Sequence, residues 1–528
     1  MRMASTGSNV RRYTGFGLFA LCVLAAVLLG DGRAGGDEGR ILEQVRLLSS
    51  HHGRWHDFLG EARANPYWIA HQPLWFLITG VQIAFVRGVE MLLNFRPLPM
   101  AEGFLVSLTQ VAAALCAMAL SYAYVRDRHA DKNLAIATVA AVWLGSSALC
   151  LLTGGFMEST LALLVVGRLW IARPGVAMTP RLFVHVAMLD LLMILAKPYA
   201  LLYCLVSLPL LLRRAAPKAC CAWTYGAIVA AFTLGALAIK QACSGIYLHD
   251  MLALAGSGGS PWLARVVRIG YQLVSFPYGI LWCFPAVAVL PFCPRPSRTG
   301  LLVTAGAVLS LVVFFASFEF WHGGNGIAGP RYILPFLLGF LPYVAEGIAG
   351  LRARAPLALY AIPALVLLFL PALNYRHNLV LNLPERSDLS LPGEPALASY
   401  YAERGAQAAP VPLYDALYQP GLFAWRIEAA KRAGADTVAL RLSPDRALTI
   451  ATRHIFPQTG IARLYYALAR RPLVEGQAPD FRGALPAWML AIPGALAALL
   501  VLAGLWRIAR AVHVLAVDGV HPPSGGPA

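Results

Sequence analysis

Two adjacent carboxylates, Asp37 and Glu38, follow the first long apolar run of the chain. They lie in a polar segment, residues 31–71, and the glycines Gly36 and Gly39 on either side allow a sharp turn of the backbone. A carboxylate that is partly shielded from water at a membrane boundary can act as a general base. Asp37 and Glu38 are therefore candidate catalytic acids, and two solvated loop carboxylates are the alternative interpretation.

The same polar segment is rich in histidine. His51, His52, His56 and Asp57 fall within seven residues and could bind a divalent cation, although their spacing matches no structural zinc pattern. His and Trp side chains also suit a membrane interface. We therefore leave a divalent cation open, identify no certain cofactor, and take His56 and Asp57 as candidate substrate ligands.

His71 opens the next apolar stretch in the sequence His71-Gln72-Pro73-Leu74. Proline is favourable in the first turn of a helix, where its missing N–H is not needed. The pattern predicts that a helix starts here with His71 at its outer end. His71 is a further candidate substrate-binding residue, and a simple helix-start signal is the alternative.

Three charged residues stand at the edges of later apolar segments: Glu158, Lys197 and Arg331. An ionisable group at the edge of a membrane span is a functional candidate. Arg can bind phosphate through two parallel hydrogen bonds, and Lys binds it as a point charge. We expect Glu158 to join the catalytic acids, and Lys197 and Arg331 to hold a phosphate, against the alternative of side chains that only reach toward the interface.

Three further candidates flank a glycine-rich turn between two apolar segments. Trp321 and His322 precede the turn and are candidate substrate ligands, and Tyr332 follows Arg331. The glycines allow the backbone to approach a ligand closely.

The composition places these residues in a membrane protein. Of 528 residues, 58% are hydrophobic and 13% are charged, against roughly 25% charged residues in a soluble domain. The net charge of +17 does not indicate a nucleic-acid partner, because the basic residues form short clusters between apolar runs. The nine cysteines lie in or beside apolar segments, so the sequence predicts neither a disulfide framework nor a thiolate metal site.

Apolar windows predict about twelve transmembrane helices. They fall at residues 14–30, 102–125, 133–152, 157–172, 182–196, 199–212, 220–242, 269–292, 300–318, 331–350, 357–373 and 485–509. With an uncleaved first helix and a cytoplasmic N-terminus, every compact basic connector lies in the cytoplasm, as the positive-inside rule requires. That assignment needs residues 72–96 to form a helix lying in the outer interface.

The predicted fold class is an all-α polytopic membrane protein with a small mixed α/β periplasmic domain before the last helix. Residues 1–373 form the transmembrane domain, including the outer loop 31–71 and the interfacial helix 72–96. Residues 374–484 form the periplasmic domain, and residues 485–528 form the last transmembrane helix and a cytoplasmic tail. The candidate residues then face the exterior.

In their order along the chain, four motifs resemble the GT-C superfamily of integral-membrane glycosyltransferases, in particular its protein O-mannosyltransferase and lipid A aminoarabinose transferase branch. The motifs are Gly36-Asp37-Glu38, His71-Gln72-Pro73-Leu74, Lys197-Pro198 and the run from Trp321 to Pro335 that contains Gly329-Pro330-Arg331-Tyr332. His-Gln-Pro stands here in place of the commoner His-Pro-Pro.

The resemblance implies a hexosyl- or pentosyltransferase of the bacterial inner membrane that uses a polyprenyl-phosphate-sugar donor and acts on the outer face by an inverting mechanism. The acceptor would be a lipid, a glycan or a protein. It also implies that Asp37 or Glu38 assists the acceptor, that Glu158 is the second-loop acid, and that Lys197, Arg331 and Tyr332 bind the donor phosphate.

Two other functions stay open at the level of sequence. A transporter or flippase would need ionisable groups near the middle of spans, and Asp190 stands out as a lone example. An O-antigen polymerase or ligase would place its essential residues in the late outer segment 374–484.

Overall fold

The structure, a computed structural model, describes residues 41, 45, 73–92, 101–153, 157–173, 176, 178–214, 218–244, 262–274, 279–317, 330–367, 369 and 487–520. Within these ranges the chain forms helices and their connecting turns, with no β-strand. This agrees with the all-α class predicted for the membrane domain. The predicted α/β domain at 374–484 and nearly all of the loop at 31–71 lie outside the described residues.

The helices are numbered in chain order. Their bounds are α1 Pro73–Leu92, α2 Ala101–His129, α3 Lys132–Val139, α4 Leu149–Thr153, α5 Glu158–Ile171, α6 Pro180–Ala196, α7 Ala200–Leu212, α8 Lys218–Ser244, α9 Trp262–Val274, α10 Ile280–Cys283, α11 Arg298–Ala316, α12 Leu334–Arg354, α13 Pro356–Leu367 and α14 Ala487–Val520. Stretches of 3₁₀-helix occupy Pro285–Phe292 and Arg295–Ser297 and form a turn at Leu338–Phe340 within α12.

Ion pairs join the basic connectors at one end of the helices. Arg128 pairs with Glu346, and Arg352 lies 3.3 Å from Asp131 and 3.1 Å from Asp518. These contacts bring together the ends of α2, α12 and α14 and the start of α3. We call this region the basic end.

Local sequence explains where several helices begin and end. The carboxylate of Asp131 accepts hydrogen bonds from the backbone N–H groups of Asn133 and Leu134 and so caps α3. Thr179 caps α6 in the same way, and Pro180 occupies the first helical position. At its other end α6 stops at Lys197, in extended backbone just before Pro198.

The predicted span at 133–152 is not one regular helix. α3 continues as a π-helical turn, Ala140–Leu144, and then breaks before α4. The indole N–H of Trp143 donates to Ser121 on α2 at 3.1 Å, so the wider turn is held against its neighbour. Apolar composition gave no sign of this break, because all five residues of the turn are apolar and buried.

The predicted single span at 269–292 is wrong. Its first part belongs to α9, and residues 279–292 form the short helix α10 and then 3₁₀-helix. Pro285 and Pro291 explain the difference, since proline removes a backbone donor and disfavours a regular α-helix. The 3₁₀ stretch packs closely on α12, where a Cβ at Gly347 or Gly350 would collide with the backbone carbonyls of Val289 and Phe292.

The helix predicted within 72–96 is present as α1. One face, with Trp75, Thr79 and Ile83, is buried, and Gln82 donates to Thr109 of α2 at 2.7 Å. Its placement in the membrane interface stays a prediction.

Two helices in the described part of the chain are long and apolar enough to cross a membrane by length and composition, Arg295–Ala316 and Leu334–Arg354. The count of twelve spans and the domain boundaries therefore stay predictions.

Candidate functional site

Glu158, Lys197 and Arg331 meet at the end of the bundle opposite the basic end. Glu158 is the first residue of α5, which runs from there toward Arg173. Lys197 is the C-cap of α6, which began at the other end of α5. Arg331 lies in the turn that leads into α12. We call these three residues the charged cluster.

The carboxylate of Glu158 lies between the two cations. Arg331 Nη2 donates to Glu158 Oε2 at 3.0 Å, and Lys197 Nζ lies 3.9 Å from Glu158 Oε1. The first distance is a charge-assisted hydrogen bond, whereas the second is too long for one. Glu158 therefore orients Arg331 directly and acts on Lys197 mainly through its charge.

All three side chains are buried. Glu158 is 0% exposed, Lys197 4% and Arg331 6%. Charges are seldom buried to this extent unless they are paired, because removal from water is costly. Their burial together indicates an electrostatic site rather than a set of interfacial side chains.

Aromatic rings form one wall of the charged cluster. Lys197 Nζ lies 5.4 Å from the centre of the Tyr332 ring, within the range of a cation–π interaction. Tyr332 stacks on Phe315 with centroids 5.2 Å apart, and Tyr199 packs edge-on against Phe315 at 4.8 Å. The rings fix the orientation of Tyr332 beside the ammonium group.

Two hydroxyl groups secure the first turn of α5. Ser159 donates to the carbonyl of Leu151 at 2.7 Å, and Thr160 donates to the side chain of Gln110 at 3.0 Å. Gln110 is buried on α2, so it links Glu158's helix to a neighbour just beside the cluster.

The structure brings together four of the predicted site residues: Glu158, Lys197, Arg331 and Tyr332. The remaining candidates lie outside the described residues. They are Asp37, Glu38, His51, His52, His56, Asp57, His71, Trp321 and His322. The described residues contain no group of three or more side chains suited to hold a metal.

The sequence marked Asp190 as a lone ionisable residue within a span, but the structure gives its side chain two partners. Its Oδ1 lies 2.7 Å from Arg168 Nε, and Tyr225 donates a hydrogen bond to its other oxygen. Sequence reasoning missed Arg168, although it is the one charged residue between Glu158 and the end of α5. The available signal was an acid followed by a base on each of two consecutive helices, Glu158 then Arg168 on α5 and Asp190 then Lys197 at the end of α6.

Comparisons with known proteins gave one structural similarity. No family model matches the chain, and no curated protein matches it. The chain is similar to a crystal structure of ArnT from Cupriavidus metallidurans bound to undecaprenyl phosphate, with 16% sequence identity, coverage of 89% of this chain and 79% of that chain, and a TM-score of 0.45.

Replacing Glu158 by Gln should destabilise the protein by about 3 kcal/mol, because it removes the buried carboxylate that Arg331 contacts. The matched control is Asp127→Asn, which removes an exposed carboxylate 3.7 Å from Arg173 and should cost less than about 1 kcal/mol. Unfolding titrations with SDS on purified protein would measure both. Equal effects of the two substitutions would contradict the description of Glu158 as a buried paired charge.

Proposed function

We propose that the protein is a membrane glycosyltransferase that moves a sugar from a polyprenyl-phosphate donor to an acceptor. The observation that carries the proposal is the burial of Glu158, Lys197 and Arg331 in one cluster, away from the basic end. Two cations held beside an apolar helix bundle suit a ligand with an anionic head and an apolar tail.

Lys197 and Arg331 are the proposed phosphate ligands. The guanidinium of Arg331 carries five N–H donors in a planar fork that matches phosphate oxygens. Lys197 adds a point charge from a different helix, so a phosphate in contact with both cations would be held from two directions. The low local dielectric strengthens both interactions.

Glu158 is better suited to orient the two cations than to remove a proton. Its side chain has no exposed surface, and one oxygen already accepts a hydrogen bond from Arg331. We therefore assign proton abstraction to Asp37 or Glu38, with Asp37 preferred, and keep Glu158 as the group that sets the positions of Arg331 and Lys197.

The proposed reaction is a single displacement. The acceptor hydroxyl attacks the anomeric carbon, the bond from that carbon to the phosphate oxygen breaks, and the phosphate leaves with the electron pair. The carboxylate of Asp37 or Glu38 takes the hydroxyl proton. Lys197 and Arg331 stabilise the charge that grows on the leaving phosphate, and the configuration at the anomeric carbon inverts.

We infer the orientation from the positive-inside rule. Arginines that pair at the basic end would lie in the cytoplasm, so the charged cluster would face the exterior side of a bacterial inner membrane. A polyprenyl-phosphate sugar presented at that side, with a lipid, glycan or protein acceptor, fits this placement.

Lys197→Met and Arg331→Gln should each weaken binding of undecaprenyl phosphate by at least about tenfold, the loss expected when a charged hydrogen bond is removed from a buried site. Binding would be measured on purified protein in nanodiscs by ligand-dependent tryptophan fluorescence. The matched control is Arg181→Gln, an exposed cation at the opposite end of α6 from Lys197. Wild-type affinity in both variants, or an equal loss in the control, would overturn the proposed function.

Asp37→Asn combined with Glu38→Gln should abolish sugar transfer while leaving undecaprenyl phosphate binding unchanged, since these acids act on the acceptor. Transfer would be followed as release of polyprenyl phosphate from lipid-linked sugars extracted from the native membrane. Asp127→Asn serves as the control. Full transfer by the double variant would rule out a catalytic role for this acidic pair.

A further inference from the structure

A second buried charge pair lies below the charged cluster. Arg168 Nε is 2.7 Å from Asp190 Oδ1, with side chains 7% and 0% exposed. Arg168 is on α5 and Asp190 is on α6, the same two helices that carry Glu158 and Lys197. The proposed phosphate chemistry makes no use of this pair.

The two pairs connect the helices with opposite polarity. At the site the acid is on α5 and the cation follows α6, whereas below it the cation is on α5 and the acid is on α6. At 1.5 Å per residue, Arg168 lies about 15 Å along α5 from Glu158, and Asp190 lies about 10 Å along α6 from Lys197. The lower pair therefore falls well inside the apolar part of the bundle.

Four helices meet at the lower pair. Tyr225 of α8 donates its hydroxyl to Asp190, and the guanidinium of Arg168 lies 5.8 Å from the ring centre of Tyr203 on α7. Tyr203 and Tyr225 are 2% and 1% exposed. The pair thus sets the positions of α5 and α6 against two more helices.

Aromatic contacts continue from the lower pair to the charged cluster. Tyr203 packs on Phe336 with centroids 4.9 Å apart, Phe336 packs on Tyr199 at 6.1 Å, and Tyr199 packs on Tyr332 at 5.9 Å. Tyr332 is the ring beside Lys197. A shift of Arg168 would therefore be transmitted to the wall of the site through packed side chains.

We propose that Arg168 and Asp190 are positioning residues that fix the register of α5 against α6, and thereby hold Glu158 and Lys197 at the spacing that binds the donor phosphate. This inference rests on the proposed function. An apolar contact tolerates sliding of one helix past another, but separating a buried ion pair leaves two uncompensated charges. The pair therefore selects one register out of several that apolar packing would permit.

The test uses two double variants of the full-length protein in nanodiscs. Arg168→Gln with Asp190→Asn removes both charges and leaves no unpaired ion, so its thermal stability should stay near that of the wild type. Its affinity for undecaprenyl phosphate should fall by about tenfold, because the register is no longer fixed. Arg168→Asp with Asp190→Arg restores a pair of reversed polarity, and its affinity should return to within about twofold of wild type.

We call Arg168→Gln with Asp190→Asn the neutral double variant. If Arg168 and Asp190 only stabilise the fold, the folded neutral double variant should bind undecaprenyl phosphate as tightly as the wild type. If the neutral double variant is as stable as the wild type and binds undecaprenyl phosphate equally well, the positioning role is wrong. If it loses stability and affinity together, the folded fraction is isolated by size-exclusion chromatography and its affinity is measured again. Wild-type affinity in that fraction would overturn the inference, and affinity still reduced about tenfold would support it.

Lys197→Met separates this inference from the proposed function. Loss of undecaprenyl phosphate binding in Lys197→Met, together with normal binding in the neutral double variant, refutes the positioning role alone. Normal binding in both Lys197→Met and Arg331→Gln refutes the phosphate site itself, and the positioning role with it.

Discussion

The buried carboxylate of Glu158 is the constraint on which the geometry of the site depends. It lies at the first residue of α5, contacts Arg331 at 3.0 Å, and has Lys197 3.9 Å away. Without an anion between them, two cations buried this completely would repel each other. Because Glu158 has no exposed surface, its orientation is set by the helix and by its partners rather than by solvent. The site is thus organised around a buried counter-ion for two cations.

The antiparallel arrangement of α5 and α6 explains why the two ends of the bundle differ. Each helix carries a charge at the site and a charge of opposite sign deeper in the bundle, and the Arg168–Asp190 pair matches them there. At the far end the arginines pair with acids on other helices, as Arg352 does with Asp131 and Asp518. The proposed orientation in the membrane rests on this asymmetric distribution of charge.

Sequence reasoning succeeded where a local rule determines the structure. The Lys197-Pro198 break between α6 and α7 follows from proline's effect on the preceding residue, and Pro73 marks the start of α1.

Sequence reasoning failed where the structure depends on packing between helices. The span predicted at 269–292 is divided, the π-turn at Ala140–Leu144 carries no compositional mark, and the partner of Asp190 lies 22 positions away on another helix. That Glu158, Lys197 and Arg331 share one face followed from the predicted topology, but their mutual distances depend on helix register, which hydropathy does not encode.

The most direct test of the central claim is an experimental structure of the protein in a lipid nanodisc with undecaprenyl phosphate bound. The account predicts the phosphate within hydrogen-bond distance, about 3 Å, of both Lys197 Nζ and a guanidinium nitrogen of Arg331. Glu158 should keep its contact with Arg331 in that complex. A phosphate bound instead among the arginines of the basic end, with the charged cluster unchanged, would contradict the assignment of the donor site.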